Sequence, residues 1–408
     1  MNVVAITGTN GKTTTTYLVE EALAAVGRMP GVMGTVEYRC GKERWAAAHT
    51  TPEAPVIQRT ARRMLELGAT HLVMEASSHG LALGRMTGVE VDVAAFTNLT
   101  QDHLDFHGTM EDYARAKLLL FTKALEGRPQ ARCVVNVDDP FGQNVVRAAL
   151  RPTLEVSCLA DSQAHVHPCE PPRMGIDGID VRLMTPKGPV ELRSPLLGEH
   201  NLANLLLALG IGLALGEDAQ AFAVGLGAVQ GVPGRLERVG RPETPFAVVV
   251  DYAHTPDALE RALQALRPLT SGRLLCVFGC GGDRDPVKRP MMGAAVARGA
   301  DLAIVTSDNP RTEEPGSIID MILPGVEKGG GARLSAGQLG LARRGYFVEP
   351  DRRSSIAAAV AAAEPGDTVL IAGKGHEDYQ IIGTAKHHFD DREEATVALE
   401  KRFGGEHV

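Results

Sequence analysis

No basic block interrupts the chain, and its 408 residues carry a formal net charge of −8, which argues against a nucleic-acid partner gripped along its phosphates. A few local Lys and Arg residues would still suffice to hold a compact anionic substrate. The chain shows neither a basic-then-apolar leader nor an apolar run of bilayer-spanning length, so neither export nor a membrane partner is expected. Cysteine is sparse. Cys40, Cys133, Cys158, Cys169, Cys276 and Cys280 are scattered, without the paired CxxC spacing of zinc sites or the density of a disulfide scaffold, which fits a reducing cytoplasm. Aromatics make up 4% beside 44% hydrophobic and 23% charged residues, the balance of a globular protein, and the length suits two or three domains.

What the sequence does hold begins at its first turn, Gly8-Thr9-Asn10-Gly11-Lys12-Thr13-Thr14. The apolar run Val3 to Ile6 precedes it and a helix-like segment follows, so a buried strand feeds a glycine turn and a helix start. Glycines let backbone N–H groups close on phosphate oxygens, the helix N-terminus adds partial positive charge, Lys12 can bridge terminal phosphates and the Thr13 hydroxyl can ligate Mg²⁺. The ligand expected is ATP. The spacing is the shorter G-x-x-G-K-T, because Ile6 stands where a standard P-loop has its first glycine.

From residue 1 to about 235, short apolar runs alternate with amphipathic segments, the signature of βαβ units. Strands are expected at Val3 to Thr7, His71 to Ala76, Val91 to Asn98 and Arg132 to Val137. Helices are expected at Lys12 to Val26, Pro52 to Leu67, Met110 to Leu125, Pro140 to Leu150 and Asn201 to Leu215. Short alternating pieces at about 164 to 194 read as an antiparallel insert. The joint Gly231-Val232-Pro233-Gly234-Arg235 places a boundary, giving domains 1–234 and 235–408. The second has strands at Phe246 to Asp251, Leu274 to Phe278, Leu302 to Thr306 and Thr368 to Ala372. The fold class is therefore α/β: a central P-loop-type, mostly parallel sheet domain with a small antiparallel insert, plus a C-terminal Rossmann-like α/β domain.

In such sheets the carboxyl ends of the strands carry the site. Glu75 ends one strand beside the phosphate loop, where a Mg²⁺ ligand belongs, and His103 follows the next in a loop dense in polar groups. Lys117 by itself reads as an ordinary surface lysine. The tract His165-Val166-His167-Pro168-Cys169 has donor residues, but an exposed insert argues against zinc. In the second half, Asp251 is placed to touch a nucleotide ribose. Gly279 to Asp285 makes a glycine loop with Arg284 at its tip, and Asp308-Asn309-Pro310-Arg311 and Gly373 to Glu377 end two further strands. Together these turns suggest a pocket for a ligand bearing both charges.

The ordered set GTNGKTT (8–14), EASSHGL (75–81), NLTQDHLDFHG (98–108), the lysine of YARAK (113–117), GEHNLANLLLALG (198–210), GVPGRLE (231–237), DYAHTPDALE (251–260), GCGGDRD (279–285), SDNPRTEEP (307–315) and GKGHEDYQ (373–380) resembles the Mur ligases of peptidoglycan synthesis. Within that family it is similar to the branch adding the third residue of the stem peptide. The resemblance implies an ATP-dependent acid–amino-acid ligase acting on UDP-N-acetylmuramoyl-L-Ala-D-Glu, through an acyl phosphate that an amino acid's amine attacks. It assigns Gly8, Thr9, Asn10, Gly11, Lys12, Thr13 and Thr14 to phosphate and Mg²⁺, with Asn201, Asn204 and Asp251 around the adenosine. Glu75, His103 and Lys117 become metal ligands, the lysine as a carbamate formed with CO₂, and with Lys12 they form the catalytic set. Thr50, Thr51, Ser77 and Arg85 match positions touching the muramoyl diphosphate, and an expected glutamine is Leu83. Arg311 falls where the distal carboxylate of meso-diaminopimelate would lie, with Arg284, Asp308, Asn309, Pro310, Gly373 and Glu377 completing that pocket.

Full-length relatives carry an N-terminal domain holding the uridine end, whereas this sequence opens on the ATP-binding strand. That leaves open a truncated reading frame, a separately encoded uridine-binding partner or a smaller acceptor. Two rival readings also stand: a folylpolyglutamate-like or cyanophycin-type ligase, and a nucleotide-binding subunit without activity of its own.

Overall fold

The computed structural model describes residues 1–241 and 244–404. The chain forms two compact units, Met1–Met174 with Gly178–Pro195 and Glu199–Gln230, and Gly231–Val408 with Gly175–Asp177 and Leu196–Gly198. Among the described residues no helix is long and apolar enough to cross a membrane.

The first unit is built on eight strands: β1 (Asn2–Thr7), β2 (Pro30–Met33), β3 (Glu37–Cys40), β4 (Glu43–Ala46), β5 (His71–Glu75), β6 (Val93–Phe96), β7 (Arg132–Asn136) and β8 (Thr153–Val156). Their order is β4-β3-β2-β5-β1-β6-β7-β8. The six strands from β2 to β8 in that order run parallel, and β3 and β4 fold back antiparallel as an edge. Near-continuous apolar runs form the middle because both faces are covered, and β5 is buried throughout its length. Each core Val, Ile or Leu taken out of water contributes roughly 1.5–3 kcal/mol. Helix Lys12–Ala25 follows β1 directly and contributes Leu18, Val19 and Leu23 to the interior. A small antiparallel sheet adds β9 (His167–Pro168), β10 (Arg173–Gly175), β11 (Gly178–Met184) and β12 (Val190–Ser194).

The helix expected over 110–125 stops early, at Leu118, and the chain resumes as the single 3₁₀ turn Lys123–Leu125. Leu120, Phe121 and Leu125 are all fully buried, so the apolar face of the helix continues into the core after the helix itself has ended. The Thr122 hydroxyl donates to the Leu118 carbonyl at 2.9 Å where the helix ends.

The second unit contains β13 (Glu237–Val239), β14 (Ala247–Asp251), β15 (Leu274–Phe278), β16 (Leu302–Val305), β17 (Gly345–Val348), β18 (Thr368–Ala372) and the hairpin β19 (Tyr379–Ile382) and β20 (Ala385–His388). The main sheet runs β13-β14-β18-β15-β16-β17, parallel except for β13. One face packs on Leu259, Leu263, Met292, Val296, Ile318 and Ile322, and the other on Ile356, Val360, Ala395 and Leu399. Helices on both faces leave the carboxyl edge of the sheet open for a ligand.

Candidate active site

In the first unit, Gly8 has φ 149°, and a Cβ there would lie 1.8 Å from the Thr97 hydroxyl. Gly11 has φ 83°, and its Cβ would meet the Asn204 side-chain oxygen at 2.3 Å. Backbone alone fits, so the loop presents peptide groups in place of side chains. No side chain caps the helix beginning at Lys12, as suits an N-terminus meant for an anion. The loop is braced from behind: Thr9 N–H donates to the Asn98 carbonyl at 2.9 Å, Asn10 N–H to the Asn98 side chain at 2.9 Å, and the Thr97 hydroxyl to the Asn10 carbonyl at 2.6 Å. Part of the polar density after β6 is thus structural. Asn204 donates to Asn201 at 3.1 Å, which sets the wall against Gly11.

Lys12 Nζ folds back onto the Gly8 and Thr9 carbonyls at 2.9 and 2.8 Å. The Thr13 hydroxyl meets both oxygens of Glu75, at 3.0 and 3.1 Å. Glu75 is 1% exposed and also accepts from Thr35, at 2.9 Å from both its N–H and its hydroxyl. Thr35 was not anticipated, because its loop lies forty residues from Glu75 in the chain.

Lys117 is not on the surface, as its residue type and amphipathic helix suggested, but 1% exposed. Its Nζ donates to the Gly8 carbonyl at 2.7 Å and lies 4.4 Å from the Tyr113 ring centroid. Burial, reinforced by the charge of Lys12, holds its ammonium well below the usual lysine range. Tyr113 is itself pushed up to about 12 by burial. His103 is exposed, with φ 52°, 4.8 Å from the His79 ring and 3.5 Å from the Asp102 carboxylate. Among the described residues no cluster of three or more His, Cys, Asp or Glu side chains forms a ready metal cage.

Thr50, Thr51, Ser77 and Arg85 gather at the end of β5. The Thr51 hydroxyl donates to the Glu75 carbonyl at 2.8 Å and accepts from Ser77 N–H at 2.8 Å, while Arg85 donates to the Thr51 carbonyl at 3.1 Å. Thr50 pairs with Thr35 through their hydroxyls at 3.1 Å. Leu83 is exposed.

In the second unit Asp308, Asn309 and Pro310 are buried at the end of β16. Asn309 donates to Glu377 at 3.0 Å and accepts from Lys374 Nζ at 3.2 Å and from Ile381 N–H at 2.9 Å. Lys374 was missed although its motif stood out, since nothing local signals that it is fully buried beneath Asn309 and Glu377. The Gly373 backbone lies against the Asp308 carboxylate, and Arg284 is exposed at its loop tip. Arg311 Nη1 donates to the Gly282 carbonyl at 2.7 Å. Asp251 receives Leu236 N–H at 2.8 Å and Ala253 N–H at 2.9 Å, tying the Gly231-to-Arg235 joint to β14.

His376 is pushed down to about 4, first by burial and then by Arg235 and Arg392. An unfolded chain titrates histidine near 6.5, so between about pH 4 and 6.5 it binds a proton that the folded chain refuses. Stability therefore rises with pH through that window. Urea midpoints taken from pH 4 to 7 are expected to rise less steeply in His376→Gln than in the parent chain; equal slopes would refute the assignment.

Glycines closing on a helix start, with a hydroxyl–carboxylate pair beneath them, define a phosphate-loop α/β protein. Residues 6–212 match the Mur ligase middle domain, and residues 234–375 the Mur ligase glutamate ligase domain. UDP-N-acetylmuramoyl-L-alanyl-D-glutamate–2,6-diaminopimelate ligase of Geobacter metallireducens is 48% identical over 402 residues, which is 97% of this chain and 78% of the relative. The enzyme of the same name from Gloeobacter violaceus is also 48% identical, over 98% of this chain and 78% of its own length. A solved structure bearing that name superposes with a TM-score of 0.71 at 36% identity, covering 98% of this chain and 79% of its own. Folylpolyglutamate synthase of Mycobacterium tuberculosis shares the fold, with a TM-score of 0.65 at 20% identity over 100% of this chain and 92% of its own. The chain belongs to the Mur ligase family.

Proposed function

We propose that the chain is an ATP-dependent ligase joining meso-diaminopimelate to UDP-N-acetylmuramoyl-L-Ala-D-Glu through an acyl phosphate. The observation that carries this is the mixed-charge edge of the second sheet, where Asn309 and Glu377 rest on buried Lys374 and Arg311 is held on the Gly282 carbonyl. A diamino dicarboxylic acid needs both signs of charge at fixed spacing, and a planar guanidinium suits its distal carboxylate. Glu377 and Asp308 then take ammonium groups.

In this reading residues 1–234 hold the nucleotide and 235–408 the amino acid. The glycine loop and Lys12 bind the phosphates of ATP, with Asn201 and Asn204 serving the adenosine. Thr50, Thr51, Ser77 and Arg85 orient the muramoyl dipeptide. The donors near Glu75 fit Mg²⁺, since a hydroxyl and a buried carboxylate are the hard oxygens that this ion prefers. Thr13, Glu75, His103 and Lys117 as its carbamate would hold it, and it would offset phosphate charge during transfer. Phosphorylation turns the carboxylate's oxygen into a leaving group. The amine then attacks the acyl carbon, the C–N bond forms and phosphate departs.

Phosphate release and tripeptide formation are measured with the UDP-dipeptide and diaminopimelate, lysine or no amino acid. Release requiring diaminopimelate is the expected result. Release with lysine alone, or none with any acceptor, would overturn the proposal.

A further inference from the structure

Arg289 lies in helix Lys288–Gly299, outside the pocket assigned above, and its side chain is 2% exposed. It grips Glu313 with both arms of its guanidinium, at 2.8 and 2.6 Å. The same Glu313 carboxylate accepts Asp283 N–H at 2.6 Å, and Asp283 in turn accepts the Thr312 hydroxyl at 2.7 Å. One ion pair thereby ties the 279–285 loop to the 307–313 loop. Both carry a non-glycine residue in the left-handed region, Asp283 at φ 52° and Arg311 at φ 51°, a conformation that persists only where its surroundings over-determine it. Arg289 Nε is buried with no hydrogen-bond partner among the described residues. An ion pair buried at its arginine end, with an unsatisfied N–H there, is poor evidence of a stabilising device and better evidence of a geometric one.

We propose that Arg289 and Glu313 are positioning residues for amino-acid recognition: their latch fixes the backbone of Arg311 and the loop bearing Arg284, so that the two guanidinium groups meet the distal carboxylate of the incoming diamino dicarboxylate. The proposal rests on the function inferred above and adds a determinant of its specificity. The hairpin holds the other side of Arg311, whose N–H donates to the Ile381 carbonyl at 3.1 Å and whose carbonyl accepts Gly383 N–H at 2.7 Å. With the latch loosened, the side chain pivots on that anchor.

The test uses the full chain with Glu313→Gln, at a side chain 30% exposed, and Thr312→Val, which removes only the hydroxyl contact to Asp283 and leaves the Arg289–Glu313 pair intact. The expected result for Glu313→Gln is a KM for meso-diaminopimelate raised by about tenfold or more, against less than about twofold for ATP, with a narrowed preference over lysine. Thr312→Val shifts the same constants in the same direction by about threefold. A KM for diaminopimelate unchanged in both variants, or equal rises for diaminopimelate and ATP, would overturn the latch. Arg311→Ala is run alongside. If it raises that KM while both latch variants leave it alone, the latch alone fails; if it too has no effect, the reading of the pocket fails and the latch falls with it.

Discussion

Substituting Lys117 by alanine lowers ligation by roughly a thousandfold or more while nucleotide binding persists. Among the described residues no carboxylate pairs with this lysine; its Nζ has the Gly8 carbonyl at 2.7 Å and the Tyr113 ring at 4.4 Å. An ammonium is disfavoured there by burial and by Lys12, so the amine is held well below its usual range. A neutral amine has the lone pair that adds to the carbon of CO₂; an N–C bond forms, one C=O π pair moves onto oxygen, a proton leaves the nitrogen, and the neutral side chain becomes an anion. On the proposed carbamate reading, the buried hydrocarbon stem would end in hard oxygen donors. Two further outcomes follow from the same chemistry. Activity falls when dissolved CO₂ is stripped and returns with bicarbonate, and acetate or formate partly rescues Lys117→Ala by occupying the vacated space. Retention of more than about a tenth of the activity in Lys117→Ala would sink the carbamate assignment.

Arg311→Ala raises the KM for meso-diaminopimelate by about a hundredfold and leaves any turnover with lysine at high concentration nearly unchanged. Two charge-assisted hydrogen bonds at roughly 1.5 kcal/mol each amount to about 3 kcal/mol, and about 1.4 kcal/mol is tenfold. The Gly282 carbonyl holds one arm of the guanidinium at 2.7 Å, so its direction is set before the substrate arrives. Arg311→Lys keeps the charge but loses the planar fork, and an intermediate KM is expected. Steady-state constants for the two amino acids decide the matter. Equal changes for both would show that the residue does not read the distal carboxylate.

The phosphate loop was legible because its signals are local. A strand buried from Val3, the glycine turn and a helix beginning at Lys12 follow one another directly in the chain, and apolar pattern, glycine and helix start are each read locally. The strands ending in Glu75, Asp251 and Ala372 were readable for the same reason. Strands β2, β3 and β4 were not, since Pro30-Gly31 opens the first with turn residues and charged residues interrupt the other two.

The sequence by itself determined which residue types stand at the ends of the parallel strands, because strand, turn and helix start are adjacent in the chain. Only the tertiary structure decided what those residues touch. Thr35 reaches Glu75, Lys374 sits under Asn309, and Arg289 closes on Glu313, pairs separated by 40, 65 and 24 positions. No local pattern encodes such separations. Lys117 is the clearest case: its helix reads as amphipathic and its residue type as exposed, yet packing against the Gly8 carbonyl buries it. Burial changes its proton affinity, and through that its chemistry.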